Sequence, residues 1–231
     1  MILPTNDAAH TWRGMELIAR GSNRVCVRDP QDPQLCLKFE RPRAERSRGG
    51  ARQTLRRWLA LRFPEMGENR TELRAYRTLR ACLGTQTEGW IATCHEVAAT
   101  PHGEALRCEC PLRDDGAPAR SLYHHLFVDP AFPASDLCAA VDRFERWLLL
   151  HEVPLFDLNA GNFVVLPRAG GLHLVCVDVK STIAGKEIIP VSRWFAPLLR
   201  RKIRRRAQRL RQRINTVLAG GAELAGRGRP D

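Results

Sequence analysis

The chain has 231 residues, 44% of them apolar, and a formal net charge of +12. That much apolar chain can bury a real core, which excludes a disordered polymer and predicts one globular unit of two lobes. No segment approaches the roughly 18 uninterrupted apolar residues of a membrane span, and the opening Met1-Ile2-Leu3-Pro4-Thr5-Asn6-Asp7 has no basic, signal-like start, so a cytoplasmic protein is expected.

Leu17 to Val27 reads as strand, turn, strand, with Gly21-Ser22-Asn23 in the turn. Backbone amides in such a turn can cradle a phosphate, glycine allowing close approach; an ordinary one-glycine hairpin fits as well. The next strand is Leu35-Cys36-Leu37-Lys38-Phe39, where alternation puts Cys36 and Lys38 on one face and Leu35, Leu37 and Phe39 on the other. A lysine inside an apolar strand is either an edge lysine facing solvent or a cation for nucleotide phosphates.

From Glu40 to Arg57 seven arginines and Gly49-Gly50 mark a solvated insertion, with a helix beginning near Thr54. A helix is then predicted from Glu68, because Leu73, Tyr76, Leu79 and Leu83 follow the 3.6-residue period. Glu72 lies beside that stripe and can turn inward to hold Lys38, or stay outside with charged neighbours on its own helix. Trp90 to Ala98 and Glu104 to Cys110 read as a hairpin turning at Thr100-Pro101-His102-Gly103. The exit at Cys110 resembles a hinge whose backbone would read an adenine edge. Helices follow over 121–128 and 136–151, the second capped by Ser135 or Asp136.

Leu155-Phe156-Asp157-Leu158-Asn159-Ala160-Gly161-Asn162 and the apolar run after it read as a catalytic loop feeding a strand. Pro167 to Gly171 is predicted as a five-residue hairpin loop, pairing Leu166 with Leu172, Asn162 with Cys176 and Asp178 with Ala160. Asn162 and Asp178 then emerge at one end of the ribbon as oxygen ligands for Mg²⁺, with Asp157 upstream as a base. Asp and Asn are also ordinary turn residues.

The eight cysteines lack paired spacing and read as reduced, buried small hydrophobes; the seven histidines form no ligand-spaced cluster. Residues 200–213 hold nine basic residues and no acid, so nine of the +12 sit there and +3 remains for the rest. They belong to a helix expected from Ser192 to Val217, with Ile203, Ala207, Leu210, Ile214 and Val217 as an apolar stripe and fraying from Ala219 onward. Such a helix suits packing on the body of the protein, an anionic membrane surface, or nucleic-acid phosphates.

Gly21, Lys38, Glu72, Cys110, Asp157, Asn162 and Asp178 fall in the order of a protein-kinase-like fold. Gly21 through Lys38, and Val175-Cys176-Val177-Asp178 through Ile189-Pro190 and Trp194 with a basic helix behind, resemble the YrbL family, the PhoP regulatory network proteins of Gram-negative bacteria. The resemblance implies an α+β fold: a small antiparallel-sheet N-lobe with one helix over residues 1–112, a reduced helical C-lobe with the catalytic hairpin over 113–191, and a basic amphipathic helix and tail over 192–231. It implies ATP and Mg²⁺ as cofactors. Asp157, Lys38 and Glu72 would be catalytic, Gly21, Ser22, Asn23, Lys38 and Cys110 would bind the nucleotide, and Asn162 and Asp178 would hold the metal.

Leu155-Phe156 stand where protein kinases carry His-Arg, Val179-Lys180 follow the metal aspartate where a residue and then glycine are usual, and 53 residues follow Asp178. A small-molecule or lipid-linked hydroxyl is therefore the expected acceptor, on a cytoplasmic protein peripheral to the inner membrane. The alternative is a pseudokinase-type regulatory module; a nucleic-acid-binding protein led by its tail is the third reading.

Overall fold

The computed structural model describes residues 11–41, 67–182 and 196–227. The Arg-rich insertion beyond Arg41, the helix expected near Thr54 and the Ile189 to Trp194 segment lie outside them. The architecture is mixed α+β, and the chain divides into two compact units, one of residues 1–78 and 92–110, the other of residues 79–91 and 111–231.

The first unit is built on an antiparallel sheet of β1 (Thr11–Trp12), β2 (Met15–Arg20), β3 (Arg24–Arg28), β4 (Leu35–Glu40), β5 (Cys94–Thr100) and β6 (Gly103–Glu109), ordered β1-β2-β3-β4-β6-β5. Alternation sorts its side chains as the sequence predicts. Met15, Val25, Val27, Leu37, Phe39 and Ala105 pack into one apolar core. Lys38 pairs across the ladder with Cys26 and Leu106, and Cys36 with Cys108, so these side chains share the opposite face. Helix α1 (Glu68–Leu83) crosses the boundary between the units and buries Leu73, Tyr76 and Leu79 on one stripe.

Trp90 does not begin a strand. β5 starts only at Cys94, and Trp90 belongs to the second unit, stacked on Trp147 with ring centroids 5.5 Å apart and 10° between planes. Aromatic burial overrides the strand preference of this segment.

In the second unit α2 (Leu122–Phe127) is capped by Ser121, whose side chain accepts from the His124 amide. Helix α3 (Ala134–Leu150) buries Leu137, Val141, Phe144 and Leu148, the expected stripe, together with Trp147. Its N-cap is Pro133 rather than Ser135 or Asp136, and no side chain closes it. Asp136 instead sits inside the first turn, where a negative charge suits the helix dipole.

Strands β7 (Phe163–Arg168) and β8 (Gly171–Cys176) form the hairpin. Its loop has two residues, Ala169 and Gly170, not five, and Leu166 pairs with His173 instead of Leu172. Gly171 makes this tight turn with φ +104°, a region that glycine enters freely and that gives it the turn role here. The shift of one residue matters little at the open end, where the Val177 amide donates to the Asn162 carbonyl at 2.8 Å.

Helix α4 (Ala196–Arg227) runs past Gly220, beyond the Val217 end expected for it. Its stripe of Leu199, Ile203, Ala207, Leu210 and Ile214 is buried, and Arg211 pairs with Asp142 at 2.8 Å and Glu145 at 2.6 Å on α3. Among the described residues no helix is long and apolar enough to cross a membrane.

Candidate functional site

Lys38 is buried on the face of β4 away from the apolar core, and its Nζ donates to Glu72 Oε1 at 2.8 Å. Glu72 is only 1% exposed, so the inward reading of that helix position holds. Asn69, one turn earlier on α1, donates from Nδ2 to the Lys38 carbonyl at 2.9 Å, tying helix to strand beside the pair. Two charges taken out of water must compensate one another, and a third group enters here: Arg24 Nη1 donates to Glu72 Oε2. Burial pulls the Lys38 ammonium toward lower pKa, but the groups packed against it, Cys108, Glu72 and Cys94, outweigh burial, and its pKa stands well above the usual lysine value.

The sequence reading missed Arg24. Nothing in an Arg-Val-Cys strand start distinguishes it from a solvent-facing arginine, and only the approach of α1 brings it to the carboxylate. Asn23 beside it donates to Glu68 Oε1 at 3.0 Å, and Ser22 is exposed. Gly21 does not adopt a left-handed conformation, and a Cβ there would meet only the Arg24 carbonyl oxygen at 3.5 Å, an ordinary contact. The turn therefore folds without needing glycine. Cys110 is buried and its amide donates to the Gln34 carbonyl at 2.8 Å, so it is not a free donor for a purine edge.

The second unit collects oxygen-bearing side chains around one loop. Asp157 is exposed; Asn159 Nδ2 donates to its Oδ1, and Asn162 Nδ2 donates to its Oδ2 at 3.1 Å and to its carbonyl at 3.0 Å. The loop is thus closed on itself, and the Asn162 amide oxygen accepts no hydrogen bond among the described residues. Past β8, Asp178 accepts from the Lys180 amide through Oδ1 at 3.1 Å, while Lys180 Nζ lies 3.1 Å from Oδ2. The Asp157 amide donates to Ser181 Oγ at 3.3 Å, which joins the Asp157 loop to the turn after Asp178. The register differs by one residue from the expected pairing, yet the loop and the Asp178 turn are adjacent, because the end of a ribbon keeps both strand ends together.

A carboxylate, an amide oxygen and a second carboxylate are hard oxygen donors of the kind Mg²⁺ takes. Asn162 and Asp178 could hold such an ion, and the exposed Asp157 carboxylate could accept a proton. Ser181 is a further polar group at this spot that the sequence analysis does not single out, and Lys180, noted there only as standing where glycine is usual, brings its ammonium to Asp178.

Comparison with known proteins points the same way as the opening and closing segments of the sequence. None of the curated proteins matches the chain. The model of the family described as PhoP regulatory network protein YrbL matches residues 11–215, which takes in both units and most of α4. The chain belongs to the YrbL family.

Proposed function

We propose that this YrbL-family chain is a two-lobed, protein-kinase-like phosphotransferase that uses ATP and Mg²⁺ and delivers the phosphoryl group to a small-molecule or lipid-linked hydroxyl. The observation that carries the reading is the buried Lys38–Glu72 pair, 2.8 Å between strand and helix. A lysine held in that way is pre-positioned for nucleotide phosphates, and phosphoryl transfer asks a protein chiefly for positioning and charge. In this reading Lys38 contacts the phosphates, Glu72 orients Lys38, and the Gly21-Ser22-Asn23 turn covers them. Asn162 and Asp178 bind the metal and Asp157 accepts the acceptor's hydroxyl proton. The purine edge would be read near Cys110 by backbone groups other than its amide.

A lipid-linked acceptor draws support from α4. Arg201, Arg204, Arg205 and Arg209 are exposed and have no ion-pair partner among the described residues. Because the apolar stripe of α4 is buried in the second unit, the helix would meet an anionic membrane surface by charge, at about 1 kcal/mol per basic residue, rather than by insertion.

One observation favours the pseudokinase alternative. Lys180 Nζ, 3.1 Å from Asp178 Oδ2, places a cation on the carboxylate that would hold Mg²⁺. Thermal shift with ATP, with and without Mg²⁺, on wild type and Asp178→Asn separates the two. Mg²⁺-dependent stabilisation lost in Asp178→Asn is the expected result. The same ATP stabilisation without Mg²⁺, unchanged in Asp178→Asn, would instead favour a nucleotide-binding module without turnover.

A further inference from the structure

Four of the eight cysteines, Cys26, Cys36, Cys94 and Cys108, stand on the Lys38 face of the sheet in the first unit. They come from four strands, which is why no Cys-x-x-Cys spacing announces them. Within the set, Cys94 and Cys108 stand opposite one another on β5 and β6 with sulfurs 3.5 Å apart. The carboxylate of Glu72 closes the group: all three ligand atoms lie within 4.8 Å of one another, and all three residues are buried.

We propose that Cys94, Cys108 and Glu72 form a site for a thiophilic divalent cation of the Zn²⁺ type. The first argument is distance. Tetrahedral zinc with Zn–S near 2.3 Å needs sulfurs roughly 3.8 Å apart, close to what the sheet already provides. A disulfide needs about 2.05 Å, and the two sulfurs stand apart as free thiols.

The second argument is charge. A bare dication would be expelled from this buried region, which already holds Lys38 and Arg24 against Glu72. Binding through two thiols removes that objection, because each loses a proton to solvent as its sulfur bonds the metal. Two positive charges enter, two leave, and the net charge of the region is unchanged. Lys38 then faces an anionic dithiolate-carboxylate centre, which it stabilises.

The third argument is ligand capacity. A carboxylate offers about four acceptor positions, and Lys38 and Arg24 engage Oε1 and Oε2 of Glu72 from their own sides. Three protein ligands leave the fourth tetrahedral position to water. The consequence is mechanical: the ion would pin α1 to the β5–β6 hairpin through the same glutamate that orients Lys38. The inference stands on the cysteine geometry and does not require that the chain bind ATP.

The test is to refold the reduced full-length chain from urea with Co²⁺, follow the sulfur-to-cobalt charge-transfer band, and displace the Co²⁺ with Zn²⁺. One equivalent of Co²⁺ with a thiolate band is expected, at least about 100-fold weaker in Cys94→Ser and in Cys108→Ser and unaltered in Cys82→Ser, whose side chain is exposed. Peptide mapping after alkylation guards against a variant that fails to fold: Zn²⁺ should protect Cys94 and Cys108 of the wild-type chain, and not Cys82. Absence of the band in folded wild type, or a band that survives both substitutions, would overturn the site. So would equal alkylation of Cys94 and Cys108 with and without Zn²⁺ at a urea concentration that exposes both in the metal-free chain.

Discussion

The two clusters of polar side chains obey opposite physics. Around Glu72 water is excluded, and a carboxylate 1% exposed is surrounded by Lys38 and Arg24, so each charge depends on the others for its existence in the interior. Around Asp157 the groups are open to solvent and hold their places by short-range hydrogen bonds from Asn159 and Asn162. A dry cluster has stability built into it, whereas a wet one can be altered at little cost to the fold and retains its capacity to exchange water for ligands.

The sharpest way to break the comparison is to remove one carboxylate from each cluster. Glu72→Ala should destabilise the chain by about 3–5 kcal/mol in urea unfolding, since it leaves the buried Lys38 and the part-buried Arg24 without their acid. A loss below about 1 kcal/mol would mean that the pair is not buried in solution. Asp157→Ala should shift unfolding by no more than about 0.5 kcal/mol. On the proposed reading it should nevertheless lower phosphoryl-transfer turnover roughly 10²–10⁴-fold, the usual contribution of a positioned base; turnover unaffected by this change would remove Asp157 from the chemistry.

A smaller effect tests the hairpin that carries the wet cluster. Gly171→Ala puts a Cβ on a residue at φ +104° and 3.3 Å from Arg143 Nη2, so a loss of about 1 kcal/mol is expected from the strained backbone. An unchanged midpoint would show that the two-residue turn relaxes without cost.

The smallest effect concerns His125 on α2, buried against Phe132 with its Nδ1 unpartnered. Burial lowers its pKa below the ordinary 6.5, with His124 and Arg113 acting in the same direction and Asp129 opposing them. The unfolded chain therefore takes up the proton first. Stability from this group is complete above pH 6.5 and erodes as pH falls through the folded-state value. His125→Leu should flatten that acid slope in melts between neutral and mildly acidic pH; an identical slope would assign it to other groups.

What the sequence by itself determined was whatever depends on period and adjacency. Alternation in β4 placed Lys38 on the face opposite Leu37 and Phe39, the 3.6-residue stripe located α1 and α3, and chain proximity kept Asp157, Asn162 and Asp178 near one ribbon end. The opening and closing segments also carried the resemblance that the match over residues 11–215 bears out. Tertiary structure alone decided the rest. Arg24 reaches Glu72 because α1 docks there, Trp90 leaves the sheet because Trp147 offers a ring to stack on, and four scattered cysteines converge because four strands bring them side by side. Local patterns record which face a side chain takes, but not what waits on the other side of it; that depends on contacts far apart in the chain, which leave no period to read.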